Sequence, residues 1–147
     1  MSTINRLSSL ISAPHMPTRM GDIGLLCTRL FFGLSMAFAH GVNKIPPSDK
    51  WVQKVADLGF FMPEFFAWSA GLSELLGGIL IALGLCTRGS SLFLLITMLV
   101  AAFIAHDGDP YRKMELGLSY GVVSLMFMTL GAGRYSIDRL ISDRLRS

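Results

Sequence analysis

The chain has 147 residues, of which 52% are hydrophobic and only 16% are charged, and its mean hydropathy is +0.54. Soluble domains carry about 25% charged residues, so the composition excludes an ordinary soluble domain and predicts one membrane domain. The net charge of +3 does not indicate a nucleic-acid-binding protein, because the basic residues are spread over the gaps between apolar runs.

Four long apolar runs predict an all-α fold, an integral membrane four-helix transmembrane bundle with short amphipathic interfacial helices. Residues 1–21 lack a continuous apolar core and are expected to form a cytoplasmic N-terminal tail, after which Asp22 is the expected N-cap. The membrane domain is predicted over residues 22–133, with spans at about 23–42, 65–85, 90–106 and 114–130. A short amphipathic helix is expected in WVQKVADLGFF, and its Trp51 is expected to face lipid or to belong to the aromatic belt. Residues 134–147 are expected to form a basic amphipathic cytoplasmic tail.

Four spans place both termini on the same side of the membrane. That side carries seven basic residues, namely Arg6, Arg19, Arg88, Arg134, Arg139, Arg144 and Arg146, and the other side carries five, namely Lys44, Lys50, Lys54, Arg112 and Lys113. The excess of positive charge favours cytoplasmic termini.

The second span contains a single charged residue, Glu74, near its middle. A carboxylate at that depth is costly unless it is protonated, paired or facing a wet cavity, so Glu74 is a candidate functional residue. Counting residues from the cytoplasmic ends places Arg29 of the first span at a similar depth, which predicts that Arg29 and Glu74 interact. The alternative is that Arg29 reaches the headgroups while a protonated Glu74 bonds a backbone carbonyl, and even a direct pair could be purely structural.

A second polar cluster is expected at the outer ends of the helices. His40 and Lys44 close the first span, His106 closes the third and Glu115 opens the fourth, with Tyr111 and Tyr120 as further candidates. The histidines lack ligand spacing, so no metal site is predicted, and they are either surface residues or part of a proton or substrate site. Cys27 and Cys86 form no CxxC motif and are expected to be packing residues.

The sequence resembles the DoxX family of small bacterial four-helix membrane proteins over about residues 22–139. The matching elements are Arg29-x-x-x-Gly33, Ala39-His40-Gly41-x-x-Lys44, Gly71-x-x-Glu74-x-x-Gly77-Gly78, Leu83-Gly84-x-x-Thr87-Arg88, Met98 with His106, and Gly131-x-Gly133-x-x-Ser136-x-Asp138. The resemblance implies a bacterial inner-membrane protein that is associated with a quinone-linked or thiol oxidoreductase system. It makes Glu74, Arg29 and His106 the catalytic candidates. His40, Lys44 and Glu115 are the candidate contacts of a quinone or another small molecule.

Three function classes follow. The first is a membrane subunit of a redox system, with quinone as the candidate cofactor and an oxidoreductase as the candidate partner. The second is a non-catalytic anchor or assembly partner for an enzyme, docked through the basic tail. The third is a proton-coupled or small-molecule permeation module, which could be built as a homo-oligomer through the small-residue faces Ser73/Gly77 or Gly117/Gly121.

Overall fold

The computed structural model describes residues 19–145, and every regular element in that range is helical. The α-helices are α1 (Arg19–Leu34), α2 (Asp49–Asp57), α3 (Pro63–Leu83), α4 (Thr87–Val100), α5 (Tyr111–Leu130) and α6 (Ile137–Arg144). Two of them continue in other helical forms: α1 runs on as a π-helix (Ser35–Gly41) and a 3-10 turn (Val42–Lys44), and α4 as a π-helix (Ala101–Ala105). The N-terminal tail predicted over residues 1–21 lies almost wholly outside the described residues.

Within residues 19–145, three helices are long and apolar enough to cross a membrane: Arg19–Lys44, Pro63–Leu83 and Thr87–Ala105. They identify the chain as a membrane protein and agree with the first three predicted spans. The fourth long helix, α5, has 20 residues and begins with Tyr111, Arg112 and Lys113. It is long enough to cross, since 20 residues rise about 30 Å, but it is not among the helices that are also apolar enough.

Local sequence signals explain where these helices begin and end. Ser48 accepts a hydrogen bond from the Trp51 amide at the start of α2, and Ser136 accepts one from the Arg139 amide at the start of α6. Pro63 occupies the first turn of α3, where its missing N–H costs nothing. At the other end, Gly84 adopts the left-handed conformation (φ +70°) that terminates α3.

The antiparallel helices α1 and α3 approach each other closely through glycine. A Cβ at Gly33 would lie 2.5 Å from the carbonyl oxygen of Gly78, and a Cβ at Gly78 would lie 2.7 Å from that of Gly33. Further along the pair, Gly41 faces the backbone of Leu75. Backbones in such contact fix the rotation of the two helices, and therefore decide which side chains face the interior.

The small-residue faces that were predicted to mediate dimerisation are used within the chain. Gly77 faces the side chain of Leu94 on α4, and the Thr97 hydroxyl donates to the Ser73 hydroxyl at 3.0 Å. On α5, Gly117 and Gly121 both face α4. These faces join α3 and α5 to α4 within the chain, and a homo-oligomer formed through them stays a prediction.

Candidate functional site

A cavity of about 160 Å³ lies where the end of α1, the middle of α3, the end of α4 and the first half of α5 meet. Its walls combine apolar side chains with an unusual number of ionisable ones. The lining residues are Met36, His40, Lys44, Glu74, Met98, Ala101, His106, Lys113, Leu116, Gly117 and Tyr120. The structure thus brings four of the six predicted site residues, Glu74, His40, Lys44 and His106, to one place.

Both π-helical segments contribute to this cavity. Ser35–Gly41 supplies Met36 and His40, and Ala101–Ala105 supplies Ala101 and is followed directly by His106. A π-helical turn inserts an extra residue into a helix and re-aims the side chains beyond it, and such turns occur frequently at functional sites. Two of them meeting at one cavity mark it as the candidate site of this protein.

Glu74 is the most buried ionisable group of the cavity, since 2% of the residue is exposed. The ammonium group of Lys44 donates to its Oε1 at 2.6 Å. The second oxygen, Oε2, is buried and has no hydrogen-bond partner among the described residues. A buried carboxylate oxygen without a partner is costly, so this atom is a ready acceptor for a ligand or a proton.

Lys44 is held from a second side by the short helix α2. The Nζ atom of Lys44 lies 5.0 Å from the centroid of the Trp51 ring, a cation–π geometry. The Trp51 indole donates Nε1–H to the carbonyl oxygen of Ala67 on α3 at 3.4 Å. Trp51 is half-buried and is held against α3 and Lys44, and its place in the aromatic belt stays a prediction.

The two histidines occupy different positions at the cavity. The His40 ring stands edge-on to Tyr120 with centroids 5.4 Å apart. The Nδ1 atom of His106 lies 3.0 Å from Oδ2 of Asp109, whose Oδ1 accepts from the Lys113 ammonium at 2.8 Å. Hydrogen bonds from Lys113 and then His106 hold the pKa of Asp109 below its ordinary value. Asp109 is therefore ionised at neutral pH.

The predicted contact between Arg29 and Glu74 is wrong. Arg29 is buried, with 2% of its surface exposed, but its guanidinium donates to the carbonyl oxygens of Ala82, Ala132 and Tyr135. Arg29 thus ties the end of α3 to the segment that follows α5. It holds the end of the bundle together and does not line the cavity.

The direction of the side chains explains this error. Every Cα–Cβ bond in a helix is tilted toward the N-terminus of that helix. Since α1 and α3 run in opposite directions, Arg29 leans toward the end of α3 while Glu74 leans away from it. Ala82, an acceptor of Arg29, lies eight residues after Glu74, or about 12 Å along the helix.

Comparisons with known proteins find related membrane proteins. The DoxX family model matches residues 24–107, which include Lys44, Glu74 and His106. The chain belongs to the DoxX family. An "Uncharacterized membrane protein" of Mycobacterium tuberculosis is 28% identical over 154 residues, with 93% of each chain covered. The "Inner membrane protein YqjF" of Escherichia coli is 28% identical over 142 residues, covering 86% of this chain and 98% of YqjF.

A relative with a functional name covers less of the chain. The protein named "Putative oxidoreductase CatD" of Bacillus subtilis is 31% identical over 90 residues, which are 61% of this chain and 65% of CatD. No solved structure matches.

The remaining predicted residues of this DoxX protein lie outside the cavity. Glu115 is exposed and does not line it, and Tyr111, 67% exposed, does not line it either. Sequence reasoning had counted Lys113 only as a surface charge and had not connected Asp109 with the site. The signal available was the spacing of His106, Asp109 and Lys113, because residues three and four apart are neighbours in a turn followed by a helix.

Proposed function

We propose that this DoxX protein is a membrane subunit of a redox system and that its cavity holds the ring of a quinone. The observation that carries the proposal is the unpartnered Oε2 of Glu74 at a cavity that also presents His40, Lys44 and His106. The oxidoreductase name of the Bacillus subtilis relative supports a redox role.

The dimensions and chemistry of the cavity suit a ring with polar substituents. A cavity of about 150 Å³ is large enough to take up benzene, and this one measures about 160 Å³. Met36, Met98 and Ala101 provide apolar walls. The ammonium of Lys44 and the imidazole of His40 are donors of the kind that a carbonyl oxygen accepts from.

Reduction of a bound quinone to a quinol takes up two electrons and two protons, and in this proposal the electrons come from a partner oxidoreductase. Glu74 and His106 are the groups that would carry protons. Lys44 balances the charge of Glu74 and fixes the orientation of its carboxylate. The structure gives Arg29 a different part, since it anchors the segment after α5.

Binding of ubiquinone-1 to the purified protein in nanodiscs, measured by calorimetry, tests the ligand. Lys44→Met should weaken binding at least tenfold, because a hydrogen bond to a charged group contributes about 1.5–3 kcal/mol. Glu115→Gln is the matched control and should bind as the wild type does. Absence of binding to the wild type, or equal affinity in all three proteins, would refute the quinone site.

The redox role has a separate test in native membranes. Glu74→Gln keeps the shape of the side chain and removes its ability to carry a proton. Quinone-dependent respiration that needs this protein should fall at least tenfold with Glu74→Gln and stay unchanged with Glu115→Gln. An unchanged rate with Glu74→Gln would count against a proton-carrying subunit.

We also infer that α5 is a fourth span and that both termini are cytoplasmic. The helix runs alongside α4, where Gly117 and Gly121 allow close approach, and its outer side exposes Val122 and Leu125. An apolar side of this kind is suited to lipid. Reporter fusions after Leu145 and within the loop at Asp107 should lie on opposite sides of the membrane, with the first in the cytoplasm. If both reporters lie on the same side of the membrane, α5 does not cross it and the inference is wrong.

A further inference from the structure

The loop between α4 and α5 contains a side-chain arrangement in which only His106 has been given a role so far. His106 follows the π-helical end of α4, Asp109 lies three residues later and Lys113 falls in the first turn of α5. The Asp109 amide donates to the His106 carbonyl oxygen at 3.1 Å, which closes the turn and brings the three side chains together. Two of them, His106 and Lys113, line the cavity.

We infer that Asp109 is a positioning residue, which fixes the His106 imidazole with Nδ1 protonated and leaves Nε2 as the atom that exchanges protons between the cavity and the aqueous phase. This inference rests on the proposed function for the use of that proton. It adds Asp109 to the site, names Nε2 of His106 as the atom that carries the proton, and connects the cavity with the aqueous phase.

The hydrogen bonds of the loop determine the tautomer. Both oxygens of Asp109 are engaged, Oδ1 by Lys113 and Oδ2 by Nδ1 of His106. An ionised carboxylate can only accept hydrogen bonds, so Nδ1 of His106 must carry a proton. In the neutral ring the other nitrogen, Nε2, is then the unprotonated one. A carboxylate that orients an imidazole in this way is the arrangement of catalytic triads.

The position of His106 suits an exchange between two environments. Its side chain is 34% exposed, and that of its partner Asp109 is 30% exposed, so water reaches this loop. Glu74, which lines the same small cavity, has a side chain that is only 3% exposed. A proton taken from water on Nε2 makes the ring an imidazolium, and its release to an acceptor in the cavity restores the neutral ring. Asp109 stays ionised throughout.

The other charges around the cavity leave room for this step. The end of α1 contributes His40 and Lys44, α3 contributes Glu74, and α5 contributes Lys113 and Tyr120. Lys44 is paired with Glu74, and Lys113 is paired with Asp109. The two lysines are thus each balanced by a carboxylate, so a proton on the ring faces no unbalanced lysine charge.

The tautomer can be read directly by ¹⁵N NMR of the histidine side chains in the ligand-free protein in nanodiscs. The chain has three histidines, and a His106→Gln sample identifies the resonances of interest. At a pH where the ring is neutral, the wild type should show a protonated Nδ1 and an unprotonated Nε2. Asp109→Ala should bring up the Nε2–H form, and Asp109→Glu should restore the wild-type pattern.

Asp107→Ala is the matched control, because Asp107 is an exposed carboxylate of the same loop, and it should leave the tautomer unchanged. An Nε2–H form in the wild type, or an unchanged tautomer in Asp109→Ala, would overturn the inference.

A second measurement checks that Nε2 belongs to the cavity. Glu74→Gln should shift the Nε2 resonance of His106, because both groups line one small cavity, whereas Glu115→Gln should not. An Nε2 resonance whose chemical shift is the same in Glu74→Gln and the wild type would also overturn the inference. Neither readout requires a quinone, so failure to bind ubiquinone-1 would remove the proposed function and leave these results standing.

Discussion

The pairing of Glu74 can be tested with two double-mutant cycles, one with Lys44 and one with Arg29. At the observed 2.6 Å separation of Lys44 Nζ and Glu74 Oε1, Coulomb attraction amounts to roughly 6 kcal/mol at an effective dielectric constant of about 20. Desolvation of the carboxylate offsets much of it, and the Lys44 side chain is 27% exposed. We therefore expect a coupling energy of about 2–3 kcal/mol for this pair.

The two cycles should differ clearly. Lys44→Met alone should destabilise the protein by about 3–5 kcal/mol, because it leaves a buried carboxylate unpaired. Adding Glu74→Gln should recover part of that loss. Arg29→Met should be strongly destabilising as well, because three carbonyl oxygens lose a charged donor. The loss of stability in the double variant should nevertheless equal the sum of the losses in Arg29→Met and Glu74→Gln to within about 0.5 kcal/mol, because the two side chains share no partner.

The free energies of unfolding can be measured in mixed micelles of a mild detergent and sodium dodecyl sulfate, followed by circular dichroism. Glu115→Gln, an exposed carboxylate change, serves as the reference that should be nearly neutral. Two results would refute this arrangement of side chains. One is a coupling energy below about 0.5 kcal/mol between Lys44 and Glu74, and the other is a coupling energy above about 0.5 kcal/mol between Arg29 and Glu74.

Three further outcomes are expected in thermal melts. Gly78→Ala should destabilise the protein by about 1–3 kcal/mol, because a Cβ there would lie 2.7 Å from a backbone oxygen of α1. Gly24→Ala is the control and should not destabilise the protein, because a Cβ at Gly24 would have nothing within 4 Å. Asp138→Ala should cost about 1–2 kcal/mol, because its carboxylate accepts from two amides at the start of α4 at 2.7 and 3.0 Å; the exposed Asp143→Ala should cost about 0.5 kcal/mol or less, and equal losses would contradict a capping role. Hydrogen bonds in the fold depress the pKa of Asp109 below its ordinary value of 3.8, so the stability that they contribute is present above pH 3.8 and is lost as the pH falls through the pKa of the folded state. The difference in melting temperature between wild type and Asp109→Asn should therefore vanish in acid. A difference that stays constant with pH would argue against these hydrogen bonds.

Much of the fold can be predicted from local sequence. Long apolar runs separated by Pro, Gly and charged residues place the helices. The expected N-cap Asp22 was wrong, because α1 begins at Arg19 and Asp22 lies within its first turn. Whether α5 is a span is harder to predict, since Arg112 and Lys113 reduce the apolar character of this helix. The π-helical turns were not predicted, because nothing in a hydropathy pattern distinguishes five-residue from four-residue hydrogen bonding.

The candidate site was predicted only in part. His40, Lys44, Glu74 and His106 could be chosen because ionisable residues at membrane depth are costly and therefore rare. The sequence did not show that Glu74 pairs with Lys44, because counting residues gives the depth of a side chain but neither its direction nor its rotation about the helix. The contact of Lys44 with Trp51 was not predicted for a related reason, since the two residues belong to different helices.

The sequence by itself determined that this is a helical membrane protein of the DoxX type with a charged residue in its second span. Those properties depend on composition and on the order of residues along single helices. Only the tertiary structure decided which charges meet. The glycine contact between Gly33 and Gly78 sets the rotation of α1 against α3, and the π-helical turn after α1 re-aims His40 and Lys44. As a result Arg29 binds backbone at one end of the bundle while Lys44 reaches Glu74 in its interior.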